Sequence, residues 1–331
     1  MTSRERIKTI FTGGVPDRCG FWMGNPLGDT WQNYFEYFGT SNQEEVRRHL
    51  DDDIRWICAD FAYKHPEGKP LFEMTRDGKP IFADCEDVVE IEDYPDWPNL
   101  DYLDFTQPLD DLRSAGDVCR ASGMWASFFH ILAGYFGMEN YFIKMYLNPD
   151  VVDAVTRKVC EFFLESNRRF FEVAGDEMDV FFFGNDYGTQ LDLLVSPEQW
   201  DRFMLPYTKA LVDLGHKYGY KVMHHSCGAV HKIIPKYIEM GVDALHPLQA
   251  RASNMDAETL ARDFKGKIAF VGGIDTQHLL VHGSPEDVKA EVRRVKALLG
   301  PNLVISPSHE ALLPNVPAQN VVAMAEAARE M

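Results

Sequence analysis

The sequence predicts an α/β protein folded as a (β/α)8 TIM barrel with an insertion over one mouth. Eight short apolar segments recur along the 331 residues, each followed by a polar turn. They lack clean polar–apolar alternation, as is typical of parallel strands buried on both faces. Helical segments separate them in the second half of the chain, and a chain of this length is compatible with one barrel.

The predicted strands come first, and the helices follow from the segments between them. The strands are residues 20–24, 54–59, 124–128, 179–184, 221–225, 244–247, 268–272 and 303–306. The helices are residues 149–173, 196–218, 229–240, 255–264, 284–299 and 317–329. The segment 149–173 has apolar spacing near 3.6 and begins with proline, while Ser-Pro-Glu at 196–198 is a helix-start signal.

Residues 64–112 do not fit the alternating pattern. The segment is dense in proline, glycine and aspartate and has poor helical periodicity. We interpret it as an extended insertion, with a hairpin that turns at Asp77–Gly78, within a single domain spanning residues 1–331. The alternative is an open doubly wound sheet, which would need a glycine-rich phosphate loop after the first strand. Residues 24–29 do not supply that loop.

Composition restricts the partners and the compartment. The formal net charge of −18 disfavours binding to nucleic acid or to an anionic membrane surface. There is no secretory leader and no apolar run of the roughly 18 residues that span a bilayer. The six cysteines form no CxxC pair. We therefore expect a cytoplasmic protein with reduced cysteines and a small-molecule substrate.

Polar side chains follow the predicted strands at their carboxyl ends, where barrel enzymes place their active sites. We predict catalytic roles for Asp186 and His309. Asp186 is as compatible with a simple turn as with a base or substrate anchor. The predicted substrate contacts are Met23, Asn25, Asn185, Tyr187, His246, Gln249 and Glu310. Aromatic residues such as Trp22, Trp31 and Phe129 suit either an apolar substrate or plain core packing.

His225 and Cys227 are the sharpest pair in the sequence. Their i, i+2 spacing at a strand end can direct imidazole and thiolate into one pocket, and both are good zinc ligands. A catalytic zinc needs a third protein ligand, for which His309, Asp186 and Glu310 are the candidates. The alternative is a hydrogen-bonded strand histidine beside an inert cysteine.

With these residues in hand, the chain resembles the uroporphyrinogen decarboxylase superfamily, and within it the methyltransferase-like members. The resemblance starts at RERIKTIFTGGVPDR and runs through NDYGTQLDLLVSPEQWDRFMLPYTKAL and HHSCGAV. It continues through GVDALHPLQ and FVGGIDTQHLL to SPSHEALLPNVPAQNV. It implies a (β/α)8 barrel.

True decarboxylases of the superfamily carry an arginine-rich segment that binds substrate carboxylates. Residues 21–35 contain no arginine, so decarboxylation of uroporphyrinogen is not expected.

The methyltransferase-like members imply a zinc ion held by an HxC motif and a distant cysteine. His225 and Cys227 match the motif, whereas His309 stands at the position of the distant cysteine. We predict that His309 replaces it as third ligand, giving a less negative site that favours an ether oxygen. The implied function is methyl transfer between a small, methoxylated substrate and a corrinoid (cobalamin) carried by a corrinoid-binding partner protein. The alternatives are a decarboxylase of a small carboxylated substrate that uses Asp186 and His309, and a non-catalytic corrinoid or tetrapyrrole binder.

Overall fold

The structure, a computed structural model, describes residues 1–330 as a barrel of parallel strands surrounded by helices. The eight strands are β1 (Gly20–Phe21), β2 (Ile54–Cys58), β3 (Cys119–Gly123), β4 (Val180–Gly184), β5 (Lys221–His225), β6 (Ala244–Leu248), β7 (Ala269–Ile274) and β8 (Leu303–Pro307). Each pairs in parallel with its chain neighbour from β2 to β8, and β8 pairs with β1. The predicted TIM barrel is confirmed.

Helices follow most of the strands and cover the barrel. Within the described residues they are α1 (Ser3–Phe11), α2 (Gly28–Phe38), α3 (Gln43–His49), α4 (Val88–Glu92), α5 (Thr106–Ser114), α6 (Phe128–Phe136), α7 (Met138–Leu147), α8 (Pro149–Ala174), α9 (Pro197–Phe203), α10 (Leu205–Lys217), α11 (Ile234–Met240), α12 (Ala257–Phe264), α13 (Leu279–His282), α14 (Pro285–Leu299) and α15 (Ala318–Arg329). None of these helices is both long enough and apolar enough to cross a membrane.

The seam between β1 and β2 is closed by two aspartates instead of a regular strand ladder. The backbone N–H of Asp53 donates to the Phe21 carbonyl at 2.9 Å, and the Asp53 carboxylate accepts the Phe21 N–H at 2.9 Å. Asp52 accepts the N–H of Met23 at 3.3 Å. The side chain of Asp53 is fully buried, and Arg6 and Arg18 bind it at 2.7 and 2.9 Å. The buried charge is therefore paired, as burial requires.

The barrel interior is filled by its own apolar cluster, separate from the layer between strands and helices. Its members are Ile7, Ile10, Phe11, Trp22, Ile54, Cys119, Ala121, Val180, Phe182, Met223, Ala244, Ala269, Val271 and Val304. Trp56 and Trp125 pack against this cluster while partly exposed. The interior is thus a packed core that ends in aromatic rings at the carboxyl end of the barrel.

The predicted third strand was wrong: residues 124–128 form a loop and the start of α6, and the strand is Cys119–Gly123. Its sequence, CRASG, is less apolar, but neighbours satisfy its polar groups. Arg120 donates to Glu177 and to the Asp176 carbonyl, both at 2.9 Å, and the Ser122 hydroxyl donates to the Ile57 carbonyl. Partners on adjacent elements, which the sequence pattern does not show, decide this strand.

The main difference between the predicted and observed helices is that one predicted helix is divided into two. The segment predicted as a single helix over 196–218 is divided into α9 and α10 at Met204. Pro206 lies in the first turn of α10, where its missing N–H costs no helical bond. The long helix predicted over 149–173 is confirmed as α8, and Ser284 caps α14 through a capping box with Asp287.

Residues 64–112 leave the carboxyl end of β2 and pack on the outside of the barrel. The predicted hairpin is present: Thr75–Arg76 pairs antiparallel with Lys79–Pro80, and Asp77 and Gly78 adopt positive φ of 52° and 75°. The Phe82 ring packs on Tyr135 of α6 with ring centroids 5.1 Å apart. This contact joins the segment to α6, the helix that follows β3.

Candidate metal centre

Three potential metal ligands meet where β4 and β5 end. His225 is the last residue of β5, Cys227 follows two residues later, and Asp186 lies two residues after β4. The Nε2 atom of His225 is 3.0 Å from Oδ1 of Asp186 and 3.4 Å from Sγ of Cys227. One ligand atom from each residue lies within 4.8 Å of the other two. Nitrogen, sulfur and oxygen donors therefore surround one point at the barrel mouth.

Glycines allow the two strand ends to approach this closely. A Cβ on Gly184 would lie 2.4 Å from the Cβ of His225, and a Cβ on Gly228 would lie 2.3 Å from the Gly188 carbonyl. Gly228 also has φ +88°, which favours glycine. The backbone N–H of Cys227 then donates to Oδ1 of Asp186 at 2.9 Å. The loop after β5 is thereby fixed to the loop after β4.

The other side of the His225 ring faces a second polar group. Its Nδ1 lies 3.0 Å from Nδ1 of His246 on β6 and 3.7 Å from Oε2 of Glu310, which follows β8. Nε2 of His246 and Oε2 of Glu310 are buried and have no hydrogen-bond partner. Buried polar atoms without partners are uncommon in folded proteins. Their position beside His225 marks them as part of the same site.

The electrostatics of the cluster are dominated by the carboxylates. Burial lowers the pKa of His225, but Glu310 and Asp186 outweigh it and raise the pKa well above the ordinary value. Burial raises the pKa of Asp186, whereas hydrogen bonds from His130, His225 and the Cys227 N–H lower it far below its usual range. Burial raises the pKa of the Cys227 thiol and lowers that of His246 well below normal. A positive charge is thus favoured between these groups.

The donor set fits a zinc ion. Zinc bonds of about 2.0–2.1 Å to nitrogen and 2.3 Å to sulfur place two tetrahedral ligand atoms roughly 3.5 Å apart. The 3.4 Å between Nε2 of His225 and Sγ of Cys227 agrees with this spacing. A carboxylate oxygen of Asp186 would supply the third protein ligand that a catalytic zinc requires.

His309 lies near this cluster but outside it. Its ring centroid is 6.4 Å from that of His225, and its Nδ1 accepts the N–H of Ala311 at 3.0 Å. Among the groups of three potential ligands in residues 1–330, Asp186 accompanies His225 and Cys227, and His309 belongs to none. His309 as third ligand therefore stays a prediction, and Asp186 is the residue whose ligand atom lies within 4.8 Å of those of His225 and Cys227.

A cavity of about 560 Å³ opens near the cluster, although none of Asp186, His225 and Cys227 lines it. It is lined by Gln190, Gln249, Arg251, Asp275, Thr276, Gln277, His278, Ser308, His309, Ala311, Leu313, Asn315 and Val316. Oε1 of Gln249 accepts from Nε2 of Gln190 at 3.0 Å and from the Gly228 N–H at 3.1 Å. Gln249 and His309, both predicted as site residues, thus lie on the wall of this cavity.

Asn185 and Tyr187 are turned into the protein, away from the cavity. The Asn185 amide donates to the Ala126 carbonyl at 3.0 Å, and its oxygen accepts the Phe129 N–H at 2.8 Å. Tyr187 is fully buried, with its ring edge-on to Trp200 at 5.8 Å. These side chains hold the loop after β4 in place, so the structure gives no support for substrate contact by either residue.

Met23 and Asn25 are also separated from the cluster. Met23 is fully buried in the apolar core, as are Trp22 and Phe129, which favours the core-packing alternative for these residues. Asn25 lines a different cavity of about 620 Å³ beside the β1–β2 seam, where its Oδ1 accepts from Arg47 at 3.0 Å. Neither residue lines the 560 Å³ cavity near Cys227 and His225.

Three residues at the mouth were missed from the sequence. His130 on α6 lies with Nε2 3.5 Å from Oδ2 of Asp186, and the Trp125 ring lies 5.5 Å from the His225 ring. The Asp60 carboxylate accepts the Trp125 N–H at 2.6 Å, and burial raises its pKa to about 6. Placing the third strand at 124–128 hid Trp125, since it put that residue inside a strand, whereas His130 and Asp60 already followed predicted strands and were overlooked. The correct strand would have shown that the loop after β3 faces the site.

Fold and site together define a general class: a (β/α)8 barrel protein with a candidate metal centre at the carboxyl ends of its strands. The sequence profile described as "Uroporphyrinogen decarboxylase (URO-D)" matches residues 115–331. The chain belongs to the uroporphyrinogen decarboxylase family. The resemblance predicted from the sequence is confirmed.

Two relatives that are named methyltransferases extend this finding. A curated relative, the methylcobamide:CoM methyltransferase MtbA of Methanosarcina mazei, is 24% identical over 164 residues. The match covers 50% of this chain and 45% of the relative, so it spans less than half the length of that protein. A solved structure described as a methyltransferase from Methanosarcina mazei superposes with a TM-score of 0.68 at 14% identity. That match covers 99% of this chain and 98% of the other, and it shows the shared fold.

Proposed function

We propose that the protein is a zinc-dependent methyltransferase that moves a methyl group between a small substrate and a corrinoid carried by a partner protein. The observation that carries the proposal is the Asp186–His225–Cys227 cluster, whose donor atoms suit zinc. A cavity opens near it, and the lining residue Gln249 binds the N–H of Gly228, the residue after Cys227. The methyltransferases among the relatives support the same reaction class.

The residues divide the work of the proposed reaction. His225, Cys227 and Asp186 would hold the ion, which when bound acts as a Lewis acid toward a substrate sulfur or oxygen. Gln249 fixes the cavity wall through its bonds to Gln190 and to the Gly228 N–H. His309, 39% exposed, lies on the same wall and would contact the substrate. The proposed ligands and the cavity wall would together orient a small substrate at the carboxyl end of the barrel.

Asp186 as third ligand changes the expected substrate preference. Thiolate and carboxylate give the ligand set two negative charges, as a histidine with two cysteines would. The charge argument for an ether oxygen rested on His309, and it no longer separates a methoxylated substrate from a thiol. The cavity is lined by both polar and apolar side chains, with Arg251 as the one lysine or arginine among its described lining residues. The lining therefore does not choose between the two substrate forms, and we propose to compare a small thiol with a methoxylated ether.

Zinc analysis combined with turnover tests the proposal. Protein prepared without chelator should contain about one zinc per chain, and methylcobalamin should be demethylated in the presence of coenzyme M or another small thiol. For the ether form, reduced cobalamin should be methylated by a methoxylated compound. Cys227→Ala should remove zinc and turnover together, while His278→Ala, on the same cavity wall, should retain the zinc. Zinc-free wild-type protein, or zinc-loaded protein inactive with both substrate forms, would contradict the proposal.

The alternative decarboxylase function has weaker support in the charges near the site. Arg47 reaches the loop after β1, but Asp52, the Gly24 carbonyl and Asn25 already bind its guanidinium at 2.6–3.0 Å. It is therefore not free to bind substrate carboxylates. A non-catalytic corrinoid binder is the third function, and it would show cobalamin binding in a spectral titration without turnover.

A further inference from the structure

The polar groups on the Nδ1 side of His225 are not used by the proposed ligand set. Nδ1 lies 3.0 Å from Nδ1 of His246 and 3.7 Å from Oε2 of Glu310. His246 is fully buried and the Glu310 side chain is 17% exposed. The sequence predicted both residues as substrate contacts, but neither lines the 560 Å³ cavity near the cluster.

His225, His246 and Glu310 also bring three potential ligand atoms within 4.8 Å, which raises the question of a second cation. One imidazole that bound a cation through each nitrogen would have to lose both of its protons. A neutral imidazole offers one free nitrogen to a metal and carries its proton on the other. His225 can therefore bind a metal in only one of the two groups at a time. When Nε2 binds the metal, the groups on the Nδ1 side can accept a hydrogen bond from the Nδ1–H.

We propose that Glu310 is a positioning residue that accepts the Nδ1–H of His225 when Nε2 binds the metal. The other possible acceptor, Nδ1 of His246 at 3.0 Å, would have to keep its own proton on Nε2, which is buried and has no hydrogen-bond partner. The inference rests on the zinc site proposed above. A metal on Nε2 leaves the ring proton on Nδ1, and such a proton is ordinarily bound by a carboxylate or carbonyl that orients the ring. Oε2 of Glu310 is buried and has no hydrogen-bond partner. It lies 3.7 Å from Nδ1 of His225 and 3.7 Å from Nδ1 of His309, but the His309 atom already accepts the Ala311 N–H and has no proton to donate. A shift of about 0.8 Å would bring Oε2 to hydrogen-bond distance from His225.

The backbone holds Glu310 in place for this task. Its carbonyl accepts the Asn25 N–H at 2.7 Å, which ties the loop after β8 to the loop after β1. Gly24 has φ +79°, and a Cβ there would lie 2.5 Å from the same carbonyl. The tight contact between the two loops thus occurs at the residue whose side chain faces His225. These contacts hold the backbone of Glu310 without requiring a metal.

Zinc affinity of the folded full-length protein tests the inference. We expect Glu310→Gln, which keeps the shape and removes the charge, to raise the zinc dissociation constant about 10–100-fold in competition with a chromophoric chelator. The absorption bands of the Co²⁺-substituted protein should shift as His225 loses its orientation. Glu310→Asp keeps the carboxylate one methylene farther away, and it should lose less affinity than Glu310→Gln but at least threefold. Asp192→Asn is the control, because this carboxylate lies in the loop after β4 and binds Lys232.

The outcomes separate this inference from the proposed function. Wild-type protein that binds no zinc would end both proposals. Wild-type protein that binds zinc, with Glu310→Gln within twofold of its affinity and with unchanged Co²⁺ bands, would overturn the role of Glu310 alone. If Glu310→Gln does not fold, the Glu310→Asp variant decides by the same measurement, and an affinity within twofold of wild type contradicts the inference. A loss in both carboxylate variants that Asp192→Asn does not share supports it.

Discussion

The two ends of the barrel differ in how their buried polar side chains are paired. At the amino ends of the strands, Asp53 and Asp179 are fully buried, and each is paired with two basic side chains at 2.6–2.9 Å. At the carboxyl ends, Glu310 and His246 keep buried atoms without partners beside His225. Paired buried aspartates at one end contribute to stability, whereas the buried atoms without partners beside His225 support the cation site proposed above.

The largest expected effect concerns the amino end. Asp53→Asn leaves the buried guanidinium groups of Arg6 and Arg18 with a neutral partner and weakens the β1–β2 seam. Breaking a buried pair of this kind costs about 3–5 kcal/mol of unfolding free energy. Urea unfolding at neutral pH should show this loss, while the zinc content of the remaining folded protein stays at the wild-type level. A comparable loss of zinc affinity would mean that the two ends are not independent.

The next effect concerns Asp60 at the carboxyl end, where burial raises the pKa of the carboxyl from 3.8 to about 6. The folded state favours the protonated form, so this group destabilises the protein as the pH rises from about 4 through 6. Asp60→Asn should therefore match wild type near pH 3.8 and become the more stable protein by up to roughly 3 kcal/mol above pH 7. Urea unfolding of both proteins across this pH range measures the difference. A difference that does not change with pH would contradict the account of Asp60.

The smallest expected effect concerns His309. Because its ring lies outside the donor cluster, His309→Ala should change the zinc dissociation constant by less than about threefold, well below the loss expected for a ligand or its supporting carboxylate. Turnover should fall through loss of a substrate contact in the cavity. Chelator competition checks the affinity, and a loss of tenfold or more would restore His309 as a ligand.

The sequence predicted the architecture and the core of the site, because both depend on short-range patterns. Eight recurring short apolar segments indicated the barrel, and the His225–Cys227 spacing indicated the cluster. The spacing left the proposed third ligand open, since Asp186 and His309 both follow strands and only the loop conformations separate them. Asn185 and Tyr187 also follow a strand, yet their side chains turn inward to hold that loop. Trp125 was missed because CRASG forms a strand only with partners from neighbouring elements, and the prediction placed Trp125 inside a strand instead of in the loop after it.

X-ray absorption at the zinc edge tests most directly whether His225, Cys227 and Asp186 hold the metal. If they do, the spectrum should show one sulfur neighbour at about 2.3 Å and nitrogen or oxygen neighbours at about 2.0–2.2 Å, with a single imidazole bound to the zinc. The sulfur should disappear in Cys227→Ser, and the imidazole signal should remain unchanged in His309→Ala. A shell without sulfur, or one with two imidazoles of which one is lost in His309→Ala, would contradict the assignment of these three ligands.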